Sequence, residues 1–434
     1  MWWSSGIWIL LVLLLVACDA TGAAEDGAGA LAVEAPSPTA EQSEIEQGVE
    51  EEPSVTSVPE GTEESEEDVI EEVEEEELLE EKAGPPPRLA ARVGSWETDW
   101  SKHTVPLDEL FSGGPPRDGI PPIDNPRFVS IEEAAEYLTE DEPVVLFEHE
   151  GEARAYPLAI LMWHEIVNDE VGGQPVTVTF CPLCNTALAF DRELGGRTLD
   201  FGTSGLLRNS DLVMWDRQTE SLWQQVTGEA IVGELAGERL SFLPASILSF
   251  EEFRQAYPDG EVLSRETGHF RDYGTNPYVN YDNLGNRPFL FSGEIDDRLP
   301  AMERVVGVTV GDEAVAYPFS TLEEVGAAND EVGGQPLAVL YAPETLSALD
   351  SSRIEQSEAV GSAVAYDPVV EGERLTFEKR DGQIVDVETG SLWDITGRAV
   401  EGPLEGTQLE IVPHANHFWF AFQAFYPDVR IWTP

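Results

Sequence analysis

From about residue 140 onward, short apolar segments with alternating or β-branched character are separated by glycine, asparagine and aspartate. These segments predict strands, for instance at residues 144–147, 153–156 and 176–180. Short helices are predicted at residues 158–167 and 248–257. The pattern therefore predicts an α+β fold that is mainly β, with mostly antiparallel strands and a few short helices.

The chain contains an internal repeat. Residues 142–158 align with residues 303–319, and at the same offset the octapeptide NDEVGGQP occurs at residues 168–175 and again at residues 329–336. Repetition at one fixed offset indicates duplication of a structural unit. The sequence therefore predicts two tandem copies of one mostly antiparallel β domain.

The N-terminus carries an apolar run at residues 7–17, which is too short to cross a bilayer comfortably and is typical of a signal peptide. It ends in Leu-Val-Ala-Cys18, which resembles the bacterial lipobox, so Cys18 is the predicted lipidation site. No Lys or Arg precedes the run, and an uncleaved membrane anchor stays an alternative. The predicted order is a signal peptide at 1–17, an acidic disordered tether at 18–93, a first repeat domain at 94–300 and a degenerate second repeat domain at 301–434.

The chain has 84 acidic against 24 basic residues and a formal net charge of −60. Such a charge excludes a nucleic-acid-binding protein, because phosphate recognition requires a basic surface. We expect the extracytoplasmic face of the cell envelope as the location and attachment to the membrane through the lipid anchor. The expected partner is an unidentified envelope protein or a small ligand.

Apart from Cys18, the chain has two cysteines, Cys181 and Cys184, in a Cys-X-X-Cys pair. A disulfide that closes so short a loop adds only about 2 kcal/mol, so a purely structural bridge is a poor explanation. The pair is either a thiolate clamp for copper or zinc or a redox dithiol. His164 is the candidate third ligand, and Met214 and His269 are further candidates on residue type alone.

The second copy tests this hypothesis from within the chain. It keeps the NDEVGGQP turn but has Val325, Ala342 and Thr345 where the first copy has the imidazole and the two thiols. The three groups are absent together while the surrounding sequence is retained. This is expected if the first copy carries a site and the second serves as a structural or regulatory partner.

A second polar group in the first copy is a candidate wall for a substrate. An aromatic loop at residues 267–281 has no equivalent after the second copy and adds to it. Strand-end turns, surface ion pairs and tyrosine packing at a domain seam are the alternative explanation. The candidate wall residues are Arg208, Asn209, Asp211, Arg217, Glu220, Arg271 and Asp272.

Several strings of the first copy resemble the family catalogued as domain of unknown function 3179. The resemblance covers roughly residues 120–434 and implies a bacterial or archaeal envelope protein whose activity is not established. The strings that carry it are TFCPLCNTA at 179–187, FGTSG at 201–205, NSDL at 209–212 and NPY at 276–278.

These observations support three functional hypotheses. The first is an extracytoplasmic lipoprotein with a metal or redox centre at the cysteine pair, enzymatic only if a metal keeps an open position or a thiol has a low pKa. The second is a non-enzymatic binding module of the envelope. The third is a thiol-disulfide oxidoreductase, which is disfavoured because residues 186–190 predict a strand where a helix would follow the dithiol.

Overall fold

The computed structural model describes residues 84–434, all of which belong to one compact unit. The predicted signal peptide, Cys18 and most of the predicted tether lie outside the described residues. Within residues 84–434, no helix is both long and apolar enough to cross a membrane.

The secondary structure is mainly β with a few short helices, as predicted. Two 3-10 turns occupy Leu107–Glu109 and Ile354–Gln356. The helices are α1 (Pro87–Val93), α2 (Ile131–Ala134), α3 (Leu158–Leu161), α4 (Phe250–Ala256), α5 (Phe319–Val325) and α6 (Trp419–Phe425). The strands of the first segment are β1 (Leu110–Ser112), β2 (Phe128–Ser130), β3 (Pro143–His149), β4 (Glu152–Pro157), β5 (Ile166–Val171), β6 (Gln174–Cys181), β7 (Thr186–Asp191), β8 (Glu193–Leu194), β9 (Arg197–Thr198), β10 (Phe201–Arg208), β11 (Asp211–Asp216), β12 (Leu222–Gln224), β13 (Glu229–Val232), β14 (Phe242–Leu243), β15 (Ala245–Ser249) and β16 (Glu261–Leu263). Those of the second are β17 (Arg304–Val310), β18 (Glu313–Pro318), β19 (Ala327–Val332), β20 (Gln335–Ala342), β21 (Ser362–Asp367), β22 (Val369–Val370), β23 (Glu373–Arg374), β24 (Phe377–Arg380), β25 (Gln383–Asp386), β26 (Leu392–Trp393), β27 (Ala399–Glu401), β28 (Glu410–Ile411), β29 (His414–Phe418) and β30 (Arg430–Ile431).

Three main sheets form in the first segment, with strand orders β15-β3-β4-β16-β2, β14-β7-β6-β5 and β1-β10-β11-β12-β13. The second segment forms sheets β29-β17-β18-β30, β19-β20-β21-β28 and β24-β25-β26-β27. In both, the last strand joins its sheet in parallel, β16 beside β4 and β30 beside β18, while the other pairings are antiparallel. The strand orders correspond; that the segments are copies of one domain stays a prediction.

The two segments share their hydrophobic cores. One buried cluster joins Val144 and Leu248 of the first segment to Leu340 and Tyr366 of the second. Another places Phe418 with both cysteines. Residues on either side of the predicted boundary at 300 and 301 therefore stabilise one another, and the boundary itself remains a prediction.

The helix predicted at residues 158–167 is shorter than expected. Helix α3 ends at Leu161, and strand β5 begins at Ile166 and pairs along its length with β6. Glu165, with φ of 59°, lies between them in the left-handed region. Strand pairing by β-branched residues therefore overrides the local helical pattern.

Ordered structure also begins earlier than the predicted end of the tether. Helix α1 starts at Pro87, where the missing N–H of proline costs nothing. Its Leu89 and Val93 are buried against Trp100 and Leu110. The end of the predicted tether is thus part of a hydrophobic core.

Candidate metal centre

The two cysteines lie in one tight hairpin, Cys181 at the end of its first strand and Cys184 within its turn. Cys181 is the last residue of β6 and stands opposite Thr186, the first residue of β7, so the turn consists of the residues between them. Asn185 adopts a φ of 52°, which asparagine tolerates better than most residues. Both thiols are free and buried. The hairpin therefore presents two sulfur atoms from one short turn.

A second hairpin brings a carboxylate to the sulfurs. Strands β10 and β11 are joined by Asn209 and Ser210, both with positive φ, which is typical of a two-residue hairpin turn. Asp211 opens β11 and accepts a hydrogen bond from the thiol of Cys184, with Sγ and Oδ1 3.0 Å apart. The ligand atoms of Cys181, Cys184 and Asp211 all lie within 4.8 Å of one another.

Neighbouring groups hold the Asp211 carboxylate in place. Its Oδ2 accepts hydrogen bonds from the Gln224 amide and from the backbone N–H of Val226, the latter at 3.0 Å. Gln224 in turn accepts from the Arg208 guanidinium at 3.4 Å. The carboxylate therefore keeps one oxygen fixed while the other faces the thiol.

The electrostatics at the pair favour protonated thiols. Burial raises the pKa of Cys181, and the carboxylates of Asp211 and Glu165 raise it further. Burial raises the pKa of Cys184 well above its usual value, and Cys181 and Asp211 add to the effect. Burial likewise raises the pKa of Asp211 to about 6, although its hydrogen bonds oppose the rise. A bound cation would favour the ionised form of each of these three groups and so lower their pKa values.

Glu165 is a buried carboxyl group next to this cluster. Among the described residues, its side chain has no hydrogen-bond or ion-pair partner. Burial and the nearby Asp211 raise its pKa to about 8. A glutamate with positive φ and an unpaired buried carboxyl is costly, and such strain concentrates at functional sites. Its carboxyl lies outside the group of ligand atoms within 4.8 Å of one another, so Glu165 would have to change rotamer to bind an ion held there.

We expect Glu165→Gln to make the metal-free protein more stable than the unchanged chain at pH 8, by roughly 2 to 4 kcal/mol, and nearly equal at pH 5. The folded-state pKa is about 8 against a model value of 4.5, so this group's contribution to stability is present below pH 4.5 and is lost as the pH rises toward 8. Urea denaturation of both proteins at the two pH values measures the difference. Equal pH dependence in both would contradict the assignment.

The structure places His164 outside the cysteine cluster. Its Nδ1 donates to the Pro121 carbonyl at 2.7 Å, and its Nε2 accepts from the Tyr273 hydroxyl at 2.6 Å. Burial lowers its pKa to about 4, so the ring is neutral. Among the described residues, the ligand group of sulfurs and carboxylate does not include it. Both ring nitrogens are already occupied by protein groups.

The two further candidate ligands also lie outside that group. Met214 is fully buried in the core and stands opposite Thr203 and Trp223 in the β10-β11-β12 sheet. His269 is exposed, and its ring lies 5.5 Å from that of His164. The structure thus brings together His164 and His269, and separately the two cysteines.

Most residues of the predicted substrate wall are held by protein contacts. Arg208 pairs with Glu109 at 2.7 Å, Arg217 with Asp124 at 2.8 Å, and Glu220 with Arg117 at 2.9 Å. Asp272 lies 3.8 Å from Arg353, and Arg271 donates to the carbonyl of Phe270. Asn209 lies in the turn before Asp211. Of the predicted wall, Asp211 alone lies in the cysteine cluster.

Residues 264–303, which include the aromatic loop at 267–281, contain no helix or strand, and this loop covers the cysteine turn. Tyr281 donates its hydroxyl to the carbonyl of Leu183, between the two cysteines, at 3.0 Å. From the second segment, the backbone N–H of Phe418 donates to the Cys184 carbonyl at 2.8 Å, and His417 contacts Thr186 at 2.8 Å. The cluster is therefore enclosed from two sides.

Sequence reasoning named Asp211 only as a wall residue. Its role depends on the register of two hairpins, which the sequence does not display. The sequence did contain one indication of this role, because the second segment lacks both the Asn-Ser-Asp string and the two cysteines. Their joint absence suggests that Asp211 and the two thiols belong to one site.

The fold and the site define a mainly β protein with a buried cysteine–cysteine–aspartate cluster that can hold a metal ion. The chain belongs to the family described as "Protein of unknown function (DUF3179)", whose model matches residues 117–429 and includes every residue of the cluster. No curated protein matches the chain, and no solved structure does.

Proposed function

We propose that this protein is a lipid-anchored, extracytoplasmic metal-binding protein whose ion is held by Cys181, Cys184 and Asp211. The observation that carries the proposal is the approach of all three ligand atoms to within 4.8 Å in a buried site. A buried carboxylate is costly, and buried thiols lose their protons only when a cation compensates the thiolate charge. Metal binding would deprotonate the thiols and supply that charge.

The donor set favours zinc over copper(I). Thiolates alone suit copper(I), whereas a mixed set of sulfur and carboxylate oxygen suits the borderline ion Zn²⁺. Glu165 or a water molecule would supply the fourth position of a tetrahedral site. A water there would make the centre catalytic in type, and a glutamate would make it structural.

The surroundings of the cysteines disfavour a redox dithiol. A reactive thiolate needs a nearby cation or a helix N-terminus to lower its pKa. Here the pKa of both thiols is raised by burial and by carboxylates, and strand β7 follows the pair directly. We therefore propose metal binding ahead of thiol exchange.

The envelope location is proposed from the N-terminal sequence. The lipobox-like string ending in Cys18 and the acidic segment after it would hold the folded part away from the membrane surface. Metabolic labelling with a fatty acid tests this part, because labelling should be lost in Cys18→Ser.

Elemental analysis tests the metal assignment. The unlipidated mature chain, residues 18–434 with Cys18→Ser, is purified, supplied with Zn²⁺ and freed of unbound ion. We expect one zinc ion per chain, retained against a weak chelator. Less than a tenth of an ion per chain would refute the proposal.

His164→Ala should keep its zinc. The imidazole binds Pro121 and Tyr273, so its removal is expected to cost about 1 to 3 kcal/mol of folding stability without lowering zinc content. Zinc content and urea denaturation of the same preparation separate the two effects. Loss of zinc from a folded His164→Ala protein would contradict this prediction and show that the imidazole takes part in zinc binding.

A further inference from the structure

A cavity of about 730 Å³ lies between the two segments, apart from the cysteine cluster. One wall comes from strands β3 and β15, where Leu146 and Ser246 stand opposite each other and Leu248 follows on the same face. The other wall includes Leu409 and Arg398 of the second segment. The volume lies within the range of about 300 to 1,000 Å³ that is usual for small-molecule pockets.

Ser246 and Arg398 are polar residues of this cavity whose side chains have no hydrogen-bond partner in the described part of the chain. The hydroxyl of Ser246 is buried, with the residue 4% exposed, and has no hydrogen-bond partner. The Arg398 side chain is half-buried and forms no ion pair or hydrogen bond with any residue of the described part of the chain. A buried hydroxyl without a partner is costly, which applies to Ser246. The Arg398 guanidinium is partly open to solvent and has no protein acceptor, so both groups can donate to a ligand in the cavity.

Two acidic groups near the cavity form hydrogen bonds elsewhere and do not pair with the Arg398 guanidinium. Glu148 accepts the backbone N–H of Gly151 at 2.7 Å. Asp394 accepts bonds within its own turn, from the N–H and hydroxyl of Thr396 and from the N–H of Arg398. These contacts leave the guanidinium as the charged group free to bind a ligand.

We propose that this cavity binds a small carboxylic acid with an apolar body. The apolar part would contact Leu146, Leu248 and Leu409, and the carboxylate would pair with the guanidinium of Arg398, an arrangement that guanidinium geometry favours. The Ser246 hydroxyl would donate to a polar atom of the same ligand. This site is independent of the metal centre.

Isothermal titration of the unlipidated mature chain tests the proposal, with decanoate as the probe and decanol and decyltrimethylammonium as uncharged and cationic counterparts. We expect decanoate to bind one to one and the other two at least about tenfold more weakly. Arg398→Gln should weaken decanoate binding roughly 10- to 100-fold and leave decanol unchanged. Ser246→Ala should weaken it by a smaller factor.

Arg380→Gln is the matched control, because this arginine is exposed, lies on strand β24 and, within residues 84–434, pairs only with Glu378. It removes the same charge and should bind decanoate like the unchanged chain. The comparison of decanoate with decanol needs no variant and holds even if Arg398→Gln folds poorly. Absent decanoate binding, equal affinity for decanoate and decanol, or equal weakening by Arg380→Gln would each overturn the proposal.

Discussion

Cys184→Ser is expected to lower zinc content from one ion per chain to less than a tenth and to weaken zinc affinity by at least about 100-fold. The change replaces one of the two sulfur donors, the thiol that faces Asp211, by a hydroxyl group, which is a poor zinc ligand. Cys181→Ser and Asp211→Asn should act in the same direction, because all three groups converge on one point. Elemental analysis and competition with a chromogenic chelator measure both quantities.

The matched control for this series is Ala342→Ser, which introduces the same residue at the end of strand β20, where the second segment corresponds to Cys181. It should leave zinc content unchanged.

The pH dependence of zinc affinity is a further check, because each thiol must lose a proton to bind the ion and the pKa of each is raised by burial. Affinity should therefore rise from pH 6 to pH 8. Full zinc content in the Cys181→Ser, Cys184→Ser double variant would show that the two cysteines do not bind the zinc ion.

Asp386→Ala is expected to destabilise the fold by about 3 to 5 kcal/mol. The carboxylate is fully buried and accepts from the Trp393 indole at 3.0 Å, from the Thr389 hydroxyl at 2.8 Å and from the backbone N–H of Ser391 at 3.1 Å. Its removal leaves the buried indole N–H of Trp393 without an acceptor. Urea denaturation monitored by circular dichroism gives the free energy of unfolding.

The pH dependence of this effect has a defined sign. Burial opposes ionisation of Asp386, but its hydrogen bonds outweigh burial and hold its pKa below the usual 3.8. Its contribution to stability is therefore present above pH 4 and is lost as the pH falls through the folded-state pKa.

Asp312→Ala, at an exposed turn, is the control for Asp386→Ala and should change the free energy of unfolding by less than about 0.5 kcal/mol. A loss below 1 kcal/mol for Asp386→Ala would contradict the prediction.

The same aspartate–tryptophan contact recurs in the first segment. Asp216 is buried and accepts from the Trp223 indole at 2.9 Å, as Asp386 does from Trp393. The aspartate and tryptophan retained in both segments therefore serve the fold. This separates the retained residues from the thiols, which only the first segment carries.

Local sequence was sufficient to predict the strands that frame the site. Strands β6 and β7 were each predicted within two residues, because β-branched and aromatic residues in short runs bounded by turn residues favour extended backbone. The helix at 158–167 was overestimated, because the pairing of β5 with β6 is a long-range contact that a local pattern does not contain.

The Cys-X-X-Cys pair, its absence from the second segment and the acidic charge follow from the sequence alone, because residue type and spacing fix the chemistry that neighbouring side chains can offer. The third donor was decided by tertiary structure. Asp211 reaches Cys184 across 27 positions because two hairpins pack side by side, while His164 is turned toward Pro121 and Tyr273. Which distant groups meet depends on sheet register and packing, and these arise only when the whole chain folds.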